Sequence, residues 1–378
     1  MTEIVPFRVS VPDTVLADLR SRLAAARLPN EIPGSGWDDG TDLGYLKELV
    51  GHWRDGFDWR ARETLLNQLQ HFTTRIDGQQ VHFVHRRSRH PGALPLLLAH
   101  GWPGSFVEFL DVMGPLADPD DPGDAFDLIV PSLPGYGFSG PTTEVGWHPR
   151  RIAAAFVELM DRLGYRRYGV QGGDWGSIVV ANMADLVPER VCGLHLNYLT
   201  APASYLERST TLSAQERADL EAARTWQESE SGYQAIQRTK PQTVGYALED
   251  SPVGLAAWIV EKFRTWSDCG GDVERSFSKD QLLTNITLYW VTATATSSAR
   301  LYYEMRRAGS AAVPQAPITV PTGVARYPGE VGRAPREWAE RRYHVTHWVD
   351  MPRGGHFAAM EVPDLFAGDV RAFFRTLR

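Results

Sequence analysis

A pentapeptide near the middle of the chain has the residue types and spacing for nucleophilic chemistry. Gly172-Gly173-Asp174-Trp175-Gly176 follows the pattern G-x-nucleophile-x-G, in which a strand turns sharply into a helix and exposes the central side chain. An aspartate stands where a serine is usual. A carboxylate is a poor acyl-transfer nucleophile, because its attack on an ester would give an anhydride. It can displace a leaving group at an sp3 carbon and form an alkyl–enzyme ester, which predicts opening of an epoxide or removal of a halide.

Two later residues supply a base and an acid in the order nucleophile, acid, histidine that suits this elbow. His356 lies in Arg353-Gly354-Gly355-His356-Phe357, and Glu330 ends Tyr327-Pro328-Gly329-Glu330. His356 would deprotonate the water that attacks the ester, while Glu330 would orient the imidazole and stabilise its cation. Asp350 is the nearest alternative acid. We expect it on the strand that leads to His356, from which a lateral approach to the imidazole is awkward.

A glycine-rich loop follows the first long apolar strand. The loop is His100-Gly101-Trp102-Pro103-Gly104-Ser105, and this is where such folds place one backbone donor for an oxyanion. We expect the N–H groups of Trp102 and Trp175 to bind the oxyanion that forms during ester hydrolysis. His100 is assigned no chemistry.

The elements that position these residues alternate between short strands and helices. An apolar run at 94–99 suits a buried parallel strand, further strands are expected near 81–85, 127–131, 168–171 and 191–197, and helices near 13–27, 150–163 and 176–187. We therefore predict an α/β fold with a mainly parallel sheet flanked by helices. Strands resume near 318–325 and 344–349, and a helix closes the chain from about residue 363.

The predicted organisation has four segments. Residues 1–75 form a helical N-terminal extension, residues 76–202 the first part of the α/β core, residues 203–312 a helical lid, and residues 313–378 the second part of the core. A helical insertion of this kind suggests a lid over an active site. Asp13 is expected to cap the first helix, with Leu16, Leu19 and Leu23 on its buried face.

Composition excludes several other classes of protein. The chain has 378 residues, a formal net charge of −7 and two cysteines, which argues against nucleic acid as a partner and against a disulfide framework. No basic and apolar leader is apparent, and no apolar run approaches the length of a membrane span. A G-x-G-x-x-G stretch at 135–140 is followed by Pro141 and a polar loop rather than a helix, so no dinucleotide site is expected. His344 and His347 should point to opposite faces of a strand, so no metal is expected.

Taken together, these motifs resemble those of epoxide hydrolases of the microsomal type. The resemblance spans nearly the whole chain and implies an α/β-hydrolase fold, with Asp174 as nucleophile, His356 as base and Glu330 as the charge-relay acid. It also implies two lid tyrosines that hydrogen-bond the epoxide oxygen. Tyr233 matches the first, Tyr302 fits the second best, and Tyr303 stays open. The matching segments are His100–Ser105, Gly172–Gly176, Ser231–Tyr233, Thr239–Pro241, Asp250–Ala256 and Arg353–Glu361.

Those tyrosines have a physical rationale, because ring opening leaves an alkoxide and a phenol with a pKa near 10 can donate a proton to it. The resemblance implies a small-molecule epoxide as substrate, no cofactor, and a diol as product. An aromatic-rich pocket suggests aryl or bulky epoxides, in either detoxification or secondary metabolism. The chain lacks the N-terminal anchor of the membrane-bound relatives, so we expect a soluble, cytoplasmic protein of bacterial type; a homodimer is left open.

Two other functions fit parts of the pattern. A haloalkane-type dehalogenase uses the same aspartate elbow, but it needs N–H donors for a halide in place of phenols. A non-catalytic binding protein on the same scaffold has no need to keep aspartate, glutamate and histidine together. The phenols of Tyr233 and Tyr302 distinguish an epoxide hydrolase from a dehalogenase. The presence of aspartate, glutamate and histidine together distinguishes it from a non-catalytic binding protein.

Overall fold

A single mixed sheet forms the centre of the molecule. The structure is a computed structural model that describes residues 3–201 and 211–378. Within these residues the sheet has the strand order β1-β2-β3-β5-β4-β6-β7-β8-β9. The strands are β1 (Val5–Phe7), β2 (His71–Ile76), β3 (Gln79–Arg86), β4 (Leu94–Ala99), β5 (Phe126–Pro131), β6 (Tyr168–Gly172), β7 (Val191–Leu196), β8 (Ile318–Arg326) and β9 (Tyr343–Asp350).

The sheet is antiparallel at one end and parallel elsewhere. Strands β1, β2, β3 and β5 pair antiparallel in that order, whereas β5, β4, β6, β7, β8 and β9 pair parallel. Strand β4 lies in the parallel part, and five of its six residues are buried. This burial explains its nearly unbroken apolar sequence, because a central parallel strand is covered on both faces. The predicted mainly parallel α/β sheet is confirmed.

Helices flank this sheet in pairs. Helix α5 (Pro149–Arg162) packs on α6 (Asp174–Leu186), and α4 (Leu110–Ala117) packs on α15 (Pro363–Arg375), whose Phe374 lies against Gly169 of β6. Ile152, Phe156, Leu159 and Met160 are all buried, as their spacing predicts. The helices outside the lid are α1 (Asp13–Ala24), α2 (Leu43–Asp55), α3 (Trp59–Leu66), α4 (Leu110–Ala117), α5 (Pro149–Arg162), α6 (Asp174–Leu186), α13 (Arg336–Arg342), α14 (Ala358–Glu361) and α15 (Pro363–Arg375).

The helical insertion between β7 and β8 is present. Its described helices are α7 (Ala214–Ser229), α8 (Gly232–Thr239), α9 (Pro241–Asp250), α10 (Pro252–Thr265), α11 (Lys279–Val291) and α12 (Ala295–Ala308). The start predicted for it, residue 203, lies outside the described residues. Helix α12 packs against α8 and α9, which brings the two tyrosine-bearing helices α8 and α12 together.

The N-terminal segment joins both the sheet and the lid. Its predicted end at residue 75 falls inside β2, which pairs with β3 of the core. Nε2 of His52 in α2 lies 2.8 Å from Oδ1 of Asp280 in α11, and Arg62 pairs with the other oxygen of the same carboxylate. Thr41 Oγ1 donates a hydrogen bond of 2.8 Å to the carbonyl of Ala257 in α10. The N-terminal segment thus contacts both the sheet and the helical insertion.

Several sequence-based boundaries were wrong. Helix α1 ends at Ala24 rather than residue 27, and Pro12 is its N-cap, so Asp13 is already helical and does not cap it. Strands β1 and β2 and helix α13 were not predicted. The burial along β2 does not alternate between faces, so only its pairing with β3 defines it as a strand. No helix in the described part of the chain is long and apolar enough to cross a membrane.

Candidate active site

The elbow between β6 and α6 presents Asp174. Asp174 is the first residue of α6 and has φ +46°, a left-handed conformation that is strained for a non-glycine residue. The flanking glycines make this turn feasible: a Cβ atom on Gly176 would overlap the carbonyl of Ala99, and one on Gly172 would come 2.5 Å from the backbone of Gly176. The side chain of Asp174 keeps 18% of its surface exposed. The spacing therefore has the structural consequence that the sequence predicts.

Two groups contact the carboxylate of Asp174, one at each oxygen. The N–H of Trp102 donates a hydrogen bond of 2.8 Å to Oδ1, and Nε2 of His356 lies 3.5 Å from Oδ2. The loop that carries Trp102 can approach this closely because Gly101 has no side chain; a Cβ atom there would overlap Asp174. The N–H of Trp175 lies in the first turn of α6, where a helix has no carbonyl partner for it. Both predicted oxyanion donors thus belong to segments that meet at the nucleophile.

The imidazole of His356 is held between two carboxylates. Its Nδ1 lies 2.8 Å from Oε1 of Glu330, which also accepts a hydrogen bond of 2.8 Å from the N–H of Val331. Burial alone would lower the pKa of His356, but the charges and hydrogen bonds of Glu330 and Asp174 raise it well above its ordinary value. The alternative acid, Asp350, has a side chain that is 68% exposed and pairs with Arg326 at 3.3 Å. The structure brings Glu330, not Asp350, to the imidazole.

The end of lid helix α10 anchors the loop that carries His356. The carbonyl of Trp266 accepts from the N–H of His356 at 2.9 Å, and Oδ2 of Asp268 accepts from the N–H of Gly354 at 2.9 Å. Glu361 in turn accepts from the N–H of Asp268 at 2.8 Å, and burial raises the pKa of Glu361 to about 7. Trp266 and Asp268 were not among the predicted site residues. Trp266 contacts the loop through its backbone carbonyl and Asp268 through its carboxylate. Both contacts join distant segments, so no sequence motif records them.

Two tyrosines of the helical insertion cover the side chain of Trp102. Tyr233 on α8 and Tyr302 on α12 are 6% and 4% exposed. The Tyr233 ring stacks on Trp102 with centroids 5.1 Å apart, and the Tyr302 ring meets Trp102 edge-on at 5.8 Å and Trp175 edge-on at 4.7 Å. Burial, reinforced by the charge of Asp174, raises the pKa of both phenols well above the ordinary value. Both hydroxyls are therefore protonated at neutral pH and available as donors.

A cavity of about 810 Å³ lies between the elbow and the lid. Asp174, Trp175, Tyr233 and Tyr302 are among its described lining residues. Tyr303, the open alternative to Tyr302, is half-buried and lies outside that lining. Tyr302, and not Tyr303, therefore lines the same cavity as Asp174.

Three other histidines, His100, His344 and His347, make structural contacts. His100 is buried and braces its loop, because its Nε2 accepts a hydrogen bond of 3.1 Å from the N–H of Leu133. His347 lies with Nε2 2.7 Å from Asp369, and His344 lies with Nδ1 3.2 Å from the carbonyl of Thr319. Across residues 3–201 and 211–378, no cluster of three histidine, cysteine, aspartate or glutamate residues could hold a metal ion.

Comparison with known proteins gives the constellation its context. A family model described as epoxide hydrolase N terminus matches residues 4–109, and one described as alpha/beta hydrolase fold matches residues 95–203. Epoxide hydrolase 1 of Sus scrofa is 42% identical over 404 residues, which cover 99% of this chain and 89% of that protein.

Solved structures agree with these matches. The crystal structure of juvenile hormone epoxide hydrolase from the silkworm Bombyx mori has a TM-score of 0.95 at 34% identity, covering 100% of this chain and 95% of that one. The structure of Aspergillus niger epoxide hydrolase has a TM-score of 0.88 at 31% identity, covering 100% and 97%. The elbow carries an aspartate, the N-terminal region matches the epoxide hydrolase family model, and the similarity to known epoxide hydrolases extends over the full chain. The chain therefore belongs to the microsomal-type epoxide hydrolases of the α/β-hydrolase fold.

Proposed function

We propose that the chain converts an epoxide into a vicinal diol through a covalent alkyl ester of Asp174. One observation carries the proposal: the Asp174 carboxylate lies between the N–H of Trp102 and the imidazole of His356, beneath the phenols of Tyr233 and Tyr302. A nucleophile, a base and acids for the leaving oxygen thus converge on one cavity.

The first half-reaction uses the cavity side of the carboxylate. An oxygen of Asp174 attacks an epoxide carbon from the back, the ring C–O bond breaks, and the departing oxygen takes a proton from Tyr233 or Tyr302. One phenolate remains. A phenol suits this step because the leaving alkoxide is far more basic than the phenolate that replaces it, so proton donation is favourable.

The second half-reaction returns the enzyme to its starting state. His356 removes a proton from water as the water oxygen bonds to Cγ of the ester, and the N–H groups of Trp102 and Trp175 stabilise the oxyanion. The ester C–O bond then breaks, and the leaving diol oxygen takes the proton from His356. The carboxylic acid that remains gives its proton to the phenolate, so that Asp174 is again charged and the tyrosine neutral.

The cavity and the attachment of the lid support two further parts of the proposal. A volume of about 810 Å³, lined partly by aromatic rings, suits aryl or otherwise bulky epoxides, in detoxification or secondary metabolism. We also propose that residues 203–312 act as a lid and that residues 1–75 hold it, supported by the contacts of His52 and Arg62 with Asp280.

Isotope labelling in H218O tests the covalent route. In a single turnover at limiting epoxide, the diol should carry no 18O, because its new oxygen comes from Asp174. The label should appear in the peptide containing Asp174 and then in diols formed in later turnovers. Immediate labelling of the diol with an unlabelled Asp174 would show direct attack of water on the epoxide. The variant Asp174→Asn serves as the control, since it should form no diol.

A further inference from the structure

A small cavity next to Asp174 is bounded by the carboxyl group of Glu108, which takes no part in the proposed two-step mechanism. The cavity measures about 10 Å³, the space of a single water molecule. Asp174, His356, Asn197 and Glu108 are among the residues that line it. Glu108 belongs to the 3-10 turn Phe106–Phe109, which directly follows the oxyanion loop. A group that faces the nucleophile, the base and a water-sized space together is well placed to act on the attacking water.

We propose that Glu108 positions the hydrolytic water in this cavity, between Nε2 of His356 and Cγ of the Asp174 ester. This inference rests on the proposed ester mechanism and adds a residue to its second half-reaction. The water would donate one hydrogen to His356 and the other to the Glu108 carboxylate, which directs an oxygen lone pair at the ester carbon. During attack one proton moves to His356, and Glu108 keeps only its hydrogen bond.

The backbone around Glu108 is shaped to admit its carboxyl group. A Cβ atom on Gly104 would overlap Oε1 of Glu108, so the glycine leaves the space that this oxygen fills. The backbone of Ser105 and that of Gly101 also form hydrogen bonds to the carboxyl group. The group is therefore held by the loop that supplies the Trp102 donor.

The charge of Glu108 is coupled to the chemical state of Asp174. Removal from bulk water raises the pKa of Glu108 to about 8. The nearby His356 and the backbone hydrogen bonds lower this pKa, whereas Asp174 raises it further. The ester of Asp174 carries no charge, so the repulsion between Asp174 and a Glu108 carboxylate, the form that accepts a hydrogen bond from water, is absent during hydrolysis.

Rapid-quench kinetics on Glu108→Gln can separate this role from a structural one. When the backbone N–H groups hold its amide oxygen, the glutamine side chain points its NH2 group toward the water. The NH2 group then donates a hydrogen bond to the lone pair that the water oxygen needs for attack. We expect ester formation on Asp174 at the wild-type rate, ester decay slowed roughly 10- to 100-fold, and accumulation of the ester by mass spectrometry. Asp111→Asn, an exposed carboxylate three residues further on, is the matched control and should leave both rates unchanged.

Glu108→Asp provides an independent variant that retains a carboxylate. The ester should decay faster in Glu108→Asp than in Glu108→Gln. If the glutamine variant does not fold, slower ester decay with unchanged ester formation in Glu108→Asp still supports the proposal. Equal slowing of ester formation and decay, or no slowing of either, would overturn it. Wild-type enzyme that turns over epoxide without any ester would instead refute the proposed covalent mechanism.

Discussion

Nε2 of His356 lies 3.5 Å from Oδ2 of Asp174, so the proposed base directly faces the carboxylate of the proposed nucleophile. In the free enzyme that carboxylate and Glu330 together favour the protonated imidazole. In the proposed mechanism, alkylation neutralises Asp174 and removes one of the two charges that hold the proton. Ester formation would therefore also favour the neutral imidazole, the form that can take a proton from water.

The variant Asp174→Asn should lower the pKa of His356. Asparagine resembles the ester in lacking charge, so the pKa of His356 should fall toward its ordinary value. In the wild type, His356 should lose its proton as the pH rises through its raised pKa. Between about 6.5 and that pKa, the free energy of unfolding should decrease with pH. Histidine NMR titration of both proteins measures the shift; identical titration curves would contradict it.

Removal of the charge beside His356 should affect the second half-reaction more than the first. In Glu330→Gln, the buried imidazolium that forms during hydrolysis loses its partner at 2.8 Å. We expect ester decay to fall roughly 10²- to 10⁴-fold, with the ester accumulating in the peptide that contains Asp174. Asp350→Asn alters an exposed carboxylate that pairs with Arg326, and its ester decay should match the wild type. If Asp350→Asn slows decay as much as Glu330→Gln, the assignment of the acid is wrong.

The lid phenols should matter for epoxides and hardly at all for halides. Tyr233→Phe and Tyr302→Phe keep the rings that pack on Trp102 but remove the donors, so each should slow ester formation from an epoxide roughly 10²-fold. Tyr303→Phe changes the half-buried neighbour outside the cavity lining and should have less than about a 2-fold effect. Stopped-flow measurement of ester formation tests all three. Halide release from haloalkanes that persists in Tyr233→Phe and Tyr302→Phe, together with no diol from epoxides, would favour a dehalogenase.

A methyl group on the oxyanion loop should disturb the nucleophile. The Cβ atom of Gly101→Ala would overlap the side chain of Asp174, so either Asp174 or the loop with the Trp102 N–H must move. We expect a loss of roughly 10²-fold or more in kcat/KM, because displacement of reacting groups by about 1 Å has effects of this size. Gly51→Ala in α2 meets open space and should retain full activity, with slightly higher stability. Full activity of Gly101→Ala would show that the loop relaxes without affecting catalysis.

Much of the site could be predicted from sequence because its key geometry is local. Gly172 and Gly176 define the turn at Asp174 through their own lack of a Cβ atom, and the apolar run of β4 reflects a strand buried on both faces. Short-range spacing records such constraints directly. The chemistry of a carboxylate at an elbow then follows from the residue type.

Other features depend on contacts between distant segments, which spacing does not record. The sequence already favours Tyr302 over Tyr303 and Glu330 over Asp350. Only the packing of α12 on α8 and the pairing of β8 with β9, however, show Tyr302 at the cavity and Glu330 at His356. Glu108 had no distinguishing pattern at all. The chain by itself therefore determined which chemistry the nucleophile can do, whereas the tertiary structure decided which acids, phenols and water-sized space surround it, because those neighbours meet only when the sheet and lid assemble.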